Sequence, residues 1–222
     1  MASSDKAPDV MPVGDGSVPP GKPMTVGQQV IDKSSQLMQT LKPIKNMSLH
    51  VCTFALYGHD MSRQIETHHY VTRLNQDFLQ CAVYDSDDPS ARLIGVEYIV
   101  SDRIFDTLAT DEQKLWHSHD HEVTSGLWIN PGDRLPLGAP ALMMSPQLVN
   151  MGVIKPDLVK LRDNKYKIST DELRASRANI PVSKPGIARA SDYWMQTGKG
   201  FAVDIKPAEM KSVGGVVLPN LV

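Results

Sequence analysis

Phe78-Leu-Gln-Cys-Ala-Val-Tyr84, Asp85-Ser-Asp-Asp-Pro-Ser90 and Arg92-Leu-Ile-Gly-Val-Glu-Tyr-Ile-Val100 decide the fold. Phe78, Gln80, Ala82 and Tyr84 recur with the period of two that a strand shows. Aspartate and serine close local hydrogen-bonded turns and Pro89 fixes φ, so 85–90 reads as a turn. Arg92–Val100 is apolar, interrupted by Glu97, and reads as a buried strand. Two strands about a short turn make an antiparallel hairpin, so 78–84 is expected to pair with 92–100. The spaced aspartates do not make a calcium loop, since the sixth place lacks glycine and the twelfth lacks glutamate.

Upstream of the hairpin, Val51, Thr53, Ala55 and Tyr57 alternate as a further strand, while Glu66–Leu74 fits either a strand or a helix. Val26, Val30, Leu37, Met38 and Leu41 share one face of a helix that Pro43 ends. That face either docks on the core or lies on lipid. Its polar side is rich in Gln and Ser rather than Lys, which favours docking on the core. Residues 1–24 hold five prolines and three glycines, with little apolar surface to offset chain entropy, and are expected to be a disordered tail.

Downstream, Ser101 is placed to cap a helix whose Ile104, Phe105 and Leu108 face inward, and Thr110-Asp-Glu-Gln113 fits a capping box. Val123–Ile129 reads as a strand, 136–146 is too rich in Pro and Gly for a helix, and 158–168 reads as two short strands. Ser169-Thr-Asp-Glu172 is a second capping box, opening a helix through Asn179. Beyond Ile180 mostly loop is expected. The fold class is therefore α+β: a single domain with a mostly antiparallel sheet and a few flanking helices behind the tail.

The chain has 222 residues, 41% of them hydrophobic, and a net charge of −2. That suits one core and gives no basic face for nucleic acid. Residues 1–122 carry a net −7 and residues 123–222 a net +5. Cys52 and Cys81 are too few for a disulfide framework and are expected as buried thiols. The N-terminus lacks the apolar core of a signal peptide, and no stretch reaches the roughly 20 apolar residues that span a bilayer.

All seven histidines lie between residues 50 and 121. In Trp116-His-Ser-His-Asp-His-Glu122, a strand would align His117, His119 and His121, whereas a helix would pair His117 with His121. Either geometry gathers imidazoles, the commonest metal ligand. His69, His117, His119 and Glu122 make a candidate centre for a divalent transition metal, with three nitrogens and one oxygen. His68 and His121 rank lower. A hydrogen-bonded polar cluster is the competing explanation. No GxSxG, GxGxxG, Walker loop or HExxH is present.

His59-Asp-Met-Ser-Arg-Gln-Ile-Glu-Thr-His-His-Tyr70, Gln80-Cys-Ala-Val-Tyr-Asp-Ser86, Ala91–Ser101 and Lys114-Leu-Trp-His-Ser-His119 together resemble the plant oil body-associated proteins, the DUF1264 family. Looser likenesses follow at Pro136-Leu-Gly138, Leu142-Met-Met144, Ser176-Arg177 and Gly198-Lys-Gly-Phe201. The resemblance runs from about residue 42 to 212, which sets expected boundaries of 25–212 for the domain and 213–222 for a C-terminal tail. It implies a peripheral partner of the lipid-droplet surface, cytoplasmic or droplet-bound, with a structural or stabilising role in droplet size and lipid storage. No oleosin-like hairpin is implied. The family assigns no catalytic residues, so a metal-dependent enzyme built on the histidine cluster is the alternative. Family members carry a block with an aromatic stretch after the histidine motif. Here Gly126–Arg134 runs almost directly into Pro136, so the domain reads as shortened after residue 134.

Overall fold

The computed structural model describes residues 22–57, 60–130, 141–144, 153–181 and 192–199. Strands β1 (Leu49–Tyr57), β2 (Asp60–Asn75), β3 (Phe78–Tyr84), β4 (Leu93–Val100) and β5 (Ala141–Met144) form one antiparallel sheet in chain order. The helices are α1 (Val26–Met38), α2 (Lys42–Lys45), α3 (Asp102–Phe105), α4 (Thr110–Gln113), α5 (Asp120–Thr124), α6 (Pro156–Tyr166), α7 (Thr170–Ser176) and α8 (Tyr193–Thr197). The chain is thus α+β, as its pattern predicts.

The expected hairpin is present as β3 and β4, with Cys81 opposite Glu97 and Gln80 opposite Tyr98. Its turn is held as the composition implies. Asp85 accepts from the Arg92 amide at 2.8 Å and from its Nε at 2.6 Å, and the Ser86 hydroxyl accepts from the Asp88 amide at 3.1 Å. The undecided 66–74 segment lies in β2, where Thr67, Tyr70, Val71 and Thr72 suit a pleated, half-buried surface.

Residues paired across an antiparallel ladder project to the same face, and neighbours along a strand to opposite ones. Val51, His69, Cys81 and Glu97 therefore share one face, and Cys52, His68 and Tyr84 the other. α5 and Trp128 close the first face, where Val51, Val71, Cys81, Ile99, Val123 and Trp128 form the main core. α6 closes the second, its Arg162 guanidinium 5.0 Å above the Phe54 ring. Arg162 has no exposed surface and donates to the Leu127 carbonyl, to Thr170 Oγ1 at 2.6 Å and to Asp163. Both cysteines are buried free thiols, as expected, and lie on opposite faces.

Several expectations are corrected. Residues 158–168 are not two strands but most of α6, which starts with proline in its first turn and stops at Lys167 in the left-handed region. Val123–Ile129 is not a strand either. It is the end of α5, a turn at Gly126 (φ 77°) and a single bridge from Ile129 to Cys52 on the outer edge of β1. Ser101 opens α3, but its hydroxyl goes to Asp77 Oδ1 at 2.6 Å rather than capping, and α4 begins after Ala109 with no side-chain cap. The second capping residue behaves as expected: Ser169 Oγ accepts from the Glu172 amide at 3.2 Å. The largest change concerns α1. It forms where the periodicity places it, but it buries no residue, so it does not dock on the core. The disordered-tail expectation for 1–24 falls almost wholly outside the described residues, as does 213–222.

Candidate functional site

Glu97 is the centre of the site. It sits in the middle of β4 with no exposed surface, and its register opposite Cys81 aims it at the face closed by α5. His69 reaches it from β2 on the same face, its Nε2 3.4 Å from Glu97 Oε2. His117 and His119 come from the irregular segment between α4 and α5. Their Nε2 atoms stand 3.8 and 3.1 Å from Glu97 Oε1. Three imidazoles thus converge on one buried carboxylate.

The alternation of the histidine segment explains its aim. Ser118 points away and is clamped by the buried Asp192, whose Oδ1 accepts from the Ser118 amide at 2.9 Å and whose Oδ2 accepts from its hydroxyl at 2.7 Å. His117 and His119 are left on the sheet side, their rings 5.2 Å apart. Trp128 walls the cluster, 4.4 Å from the His119 ring and 6.3 Å from that of His69. Burial pushes the imidazoles of His69 and His117 down to about 4 and that of His119 to about 3, so all three are neutral at pH 7 with lone pairs free to accept or ligate.

The structure therefore brings together three of the four leading sequence candidates, His69, His117 and His119. Glu97, His117 and His119 form one donor group; His69, at the other carboxylate oxygen of Glu97, and Glu122, buried in α5, lie outside it. Burial pushes the Glu122 carboxyl up to about 8, so it is an uncharged acid at neutral pH. Glu97 takes the place expected of Glu122. Its signal in the sequence was the single charge inside the apolar run Leu93–Val100.

The two lower-ranked histidines go elsewhere. His121 is exposed and lines a cleft of about 540 Å³ with Leu127, Val159 and Arg174. His68 projects to the opposite face. Its Nε2 is 3.1 Å from Glu66 Oε1 and its Nδ1 is 3.0 Å from His50 Nε2, while the Cys52 thiol donates to Glu66 Oε1 at 3.3 Å. Burial raises the Cys52 thiol well above its ordinary value, so it is no thiolate nucleophile.

An antiparallel α+β domain with a buried histidine–carboxylate cluster under a short helix is the class that fold and site define. The family model of DUF1264, described as a protein of unknown function, matches residues 41–134 and 129–181, and the chain belongs to that family. It is 51% identical over 246 residues to Oil body-associated protein 2A of Zea mays, covering 95% of this chain and 98% of that protein. To Oil body-associated protein 2A of Arabidopsis thaliana it is 52% identical, covering 96% and 98%. To Oil body-associated protein 1B of the same plant it is 33% identical, covering 90% and 95%. No solved structure matches.

Proposed function

We propose that the protein is a peripheral oil-body protein that docks on the droplet surface through α1 and stabilises it. The carrying observation is the apolar face of that helix, which is exposed and has no partner among the described residues. Val26, Val30, Ile31, Leu37 and Met38 are 76%, 57%, 63%, 87% and 78% exposed. Their spacing gathers them on one side, opposite Gln28, Gln29, Asp32 and Gln36. Leaving so much apolar side chain in water is unfavourable, and the interface of a lipid monolayer relieves it. The names of the relatives, oil body-associated proteins 2A and 1B, supply the kind of surface. No helix among the described residues is long and apolar enough to cross a membrane, which agrees with attachment from the side. The basic C-terminal half adds an electrostatic contact to anionic headgroups that salt weakens.

Flotation of purified oil bodies tests this. The wild-type chain is expected to float with droplets and to be released by carbonate and, in part, by high salt. The double variant Val30→Asp/Leu37→Asp should stay in the aqueous layer with an unchanged Tm, because neither residue supports the core. A wild-type chain that resists both washes, or a double variant that still floats, overturns the proposal.

A further inference from the structure

We infer that His117, His119 and Glu97, with His69 at the far oxygen of that carboxylate, hold one divalent transition-metal ion, which braces the sheet to the segment carrying the histidine pair. This goes beyond docking on lipid and does not depend on it.

The first argument is spacing. Glu97 Oε1 lies 3.1 Å from His119 Nε2 and 3.8 Å from His117 Nε2, and Oε2 lies 3.4 Å from His69 Nε2. A tetrahedral ion with bonds of about 2.0–2.1 Å sets its ligand atoms about 3.4 Å apart. Ligand atoms of Glu97, His117 and His119 all lie within 4.8 Å of one another, as ligands of a common centre do, and His69 stands at the other oxygen of the same carboxylate. The second argument is what these atoms lack. Both ring nitrogens of His69 and Oε2 of Glu97 are buried without a hydrogen-bond partner, although His69 Nε2 and Glu97 Oε2 face each other. Buried polar atoms are nearly always satisfied, and facing atoms that make no hydrogen bond are what a shared ion between them explains. The third is charge. Among the described residues, the imidazoles are the partners seen around this carboxylate, which has no exposed surface. A cation at the point of convergence balances it.

The cluster on the opposite face is the internal control. Cys52, Glu66 and His68 also lie close enough to share an ion, but there the thiol, carboxylate and both imidazole nitrogens of His68 engage one another or His50. Hydrogen bonds account for that group, whereas they leave the Glu97 group incomplete. Imidazole nitrogens with one carboxylate suit zinc or another first-row ion rather than magnesium or calcium. Ligands drawn from β4 and from the segment before α5 tie those two parts together, which is the arrangement of a bracing ion.

The test uses the full chain purified without a histidine tag, stripped with chelator, and titrated with Zn²⁺ and separately with Co²⁺. We expect one ion per chain by elemental analysis and a Tm that rises with metal concentration. The cobalt spectrum should show ligand-field bands without a thiolate charge-transfer band. His119→Ala and Glu97→Gln should each weaken binding by at least about tenfold, as losses in a metal shell do, while His68→Ala on the other face leaves it unchanged. Absence of bound ion in the stripped and reloaded wild-type chain overturns the inference. So does a thiolate band, which brings Cys52 or Cys81 into the shell, or full binding by His119→Ala. The wild-type stoichiometry and spectrum decide the matter even where a variant fails to fold.

Discussion

Asp87 shows how one residue in the hairpin turn fastens a distant helix. Its carboxylate accepts from Lys165 and, at 2.8 Å, from the Tyr166 hydroxyl, both near the end of α6. Partial burial alone raises its pKa, but the hydrogen bonds from Lys165 and Tyr166 and the lysine charge outweigh that and hold it down at about 2. Unfolded, the group titrates near 3.9. A depressed pKa gives stability that is fully present above the unfolded value and is lost as pH falls from about 4 towards 2. Asp87→Asn should therefore lose on the order of 1–2 kcal/mol at pH 6, after allowing for its partial exposure. The gap to wild type should close by pH 2 in urea titrations at stepped pH. An equal gap at both pH values would show that the loss is packing, not ionisation. Such residue-level partnerships were hardly visible in the sequence. His69, His117 and His119 were legible as ligand types at strand spacing. Glu97 was not, because what makes it central is the register that sets β4 against β3 and β2, together with a long-range approach of the histidine segment.

Elements were legible where local pattern and turn chemistry agree. β3 follows from alternation, β4 from an apolar run after turn residues, and α7 from its capping serine. α6 escaped because its buried residue is Arg162, while Leu161 on the same helix is 66% exposed, so its apolar residues trace no stripe. The end of α5 escaped because Val123, Leu127, Trp128 and Ile129 are all buried on either side of Thr124, Ser125 and Gly126, and so short a segment does not distinguish strand from helix by its period. What turns the chain there is Gly126. A Cβ at this position would stand 2.4 Å from the Thr170 carbonyl oxygen and 3.0 Å from the Arg174 amide nitrogen, both backbone atoms of α7, at a φ of 77°. Gly126→Ala must strain the turn and push α7 outward, and should cost about 2 kcal/mol or more. A chain of this size then loses roughly 4–8 °C in Tm by calorimetry. An unchanged Tm would mean that α5 and α7 separate freely.

For the molecule as a whole, the proposed lipid contact and the stability reside in different parts. The sheet, α5, α6 and α7 share the cores and buried bonds, whereas α1 and α2 bury nothing. Removal of residues 1–38 should therefore leave Tm within about 2 °C of the full chain, less than one kcal/mol of stability, while abolishing flotation with oil bodies. A large fall in Tm would show that the segment packs on the domain. Alignment to Oil body-associated protein 2A of Zea mays runs over 246 residues, more than the 222 of this chain, so the relative has positions this chain lacks. The sheet itself divides the molecule into two sides that can be timed independently. Cys52 is 0% and Cys81 4% exposed, on opposite faces, and burial raises both thiols so that neither reacts while covered. An alkylating reagent thus meets two separate clocks. One runs on the lifting of α6 from its side of the sheet and the other on the lifting of α5 and Trp128, so the order of labelling reads out which layer leaves first.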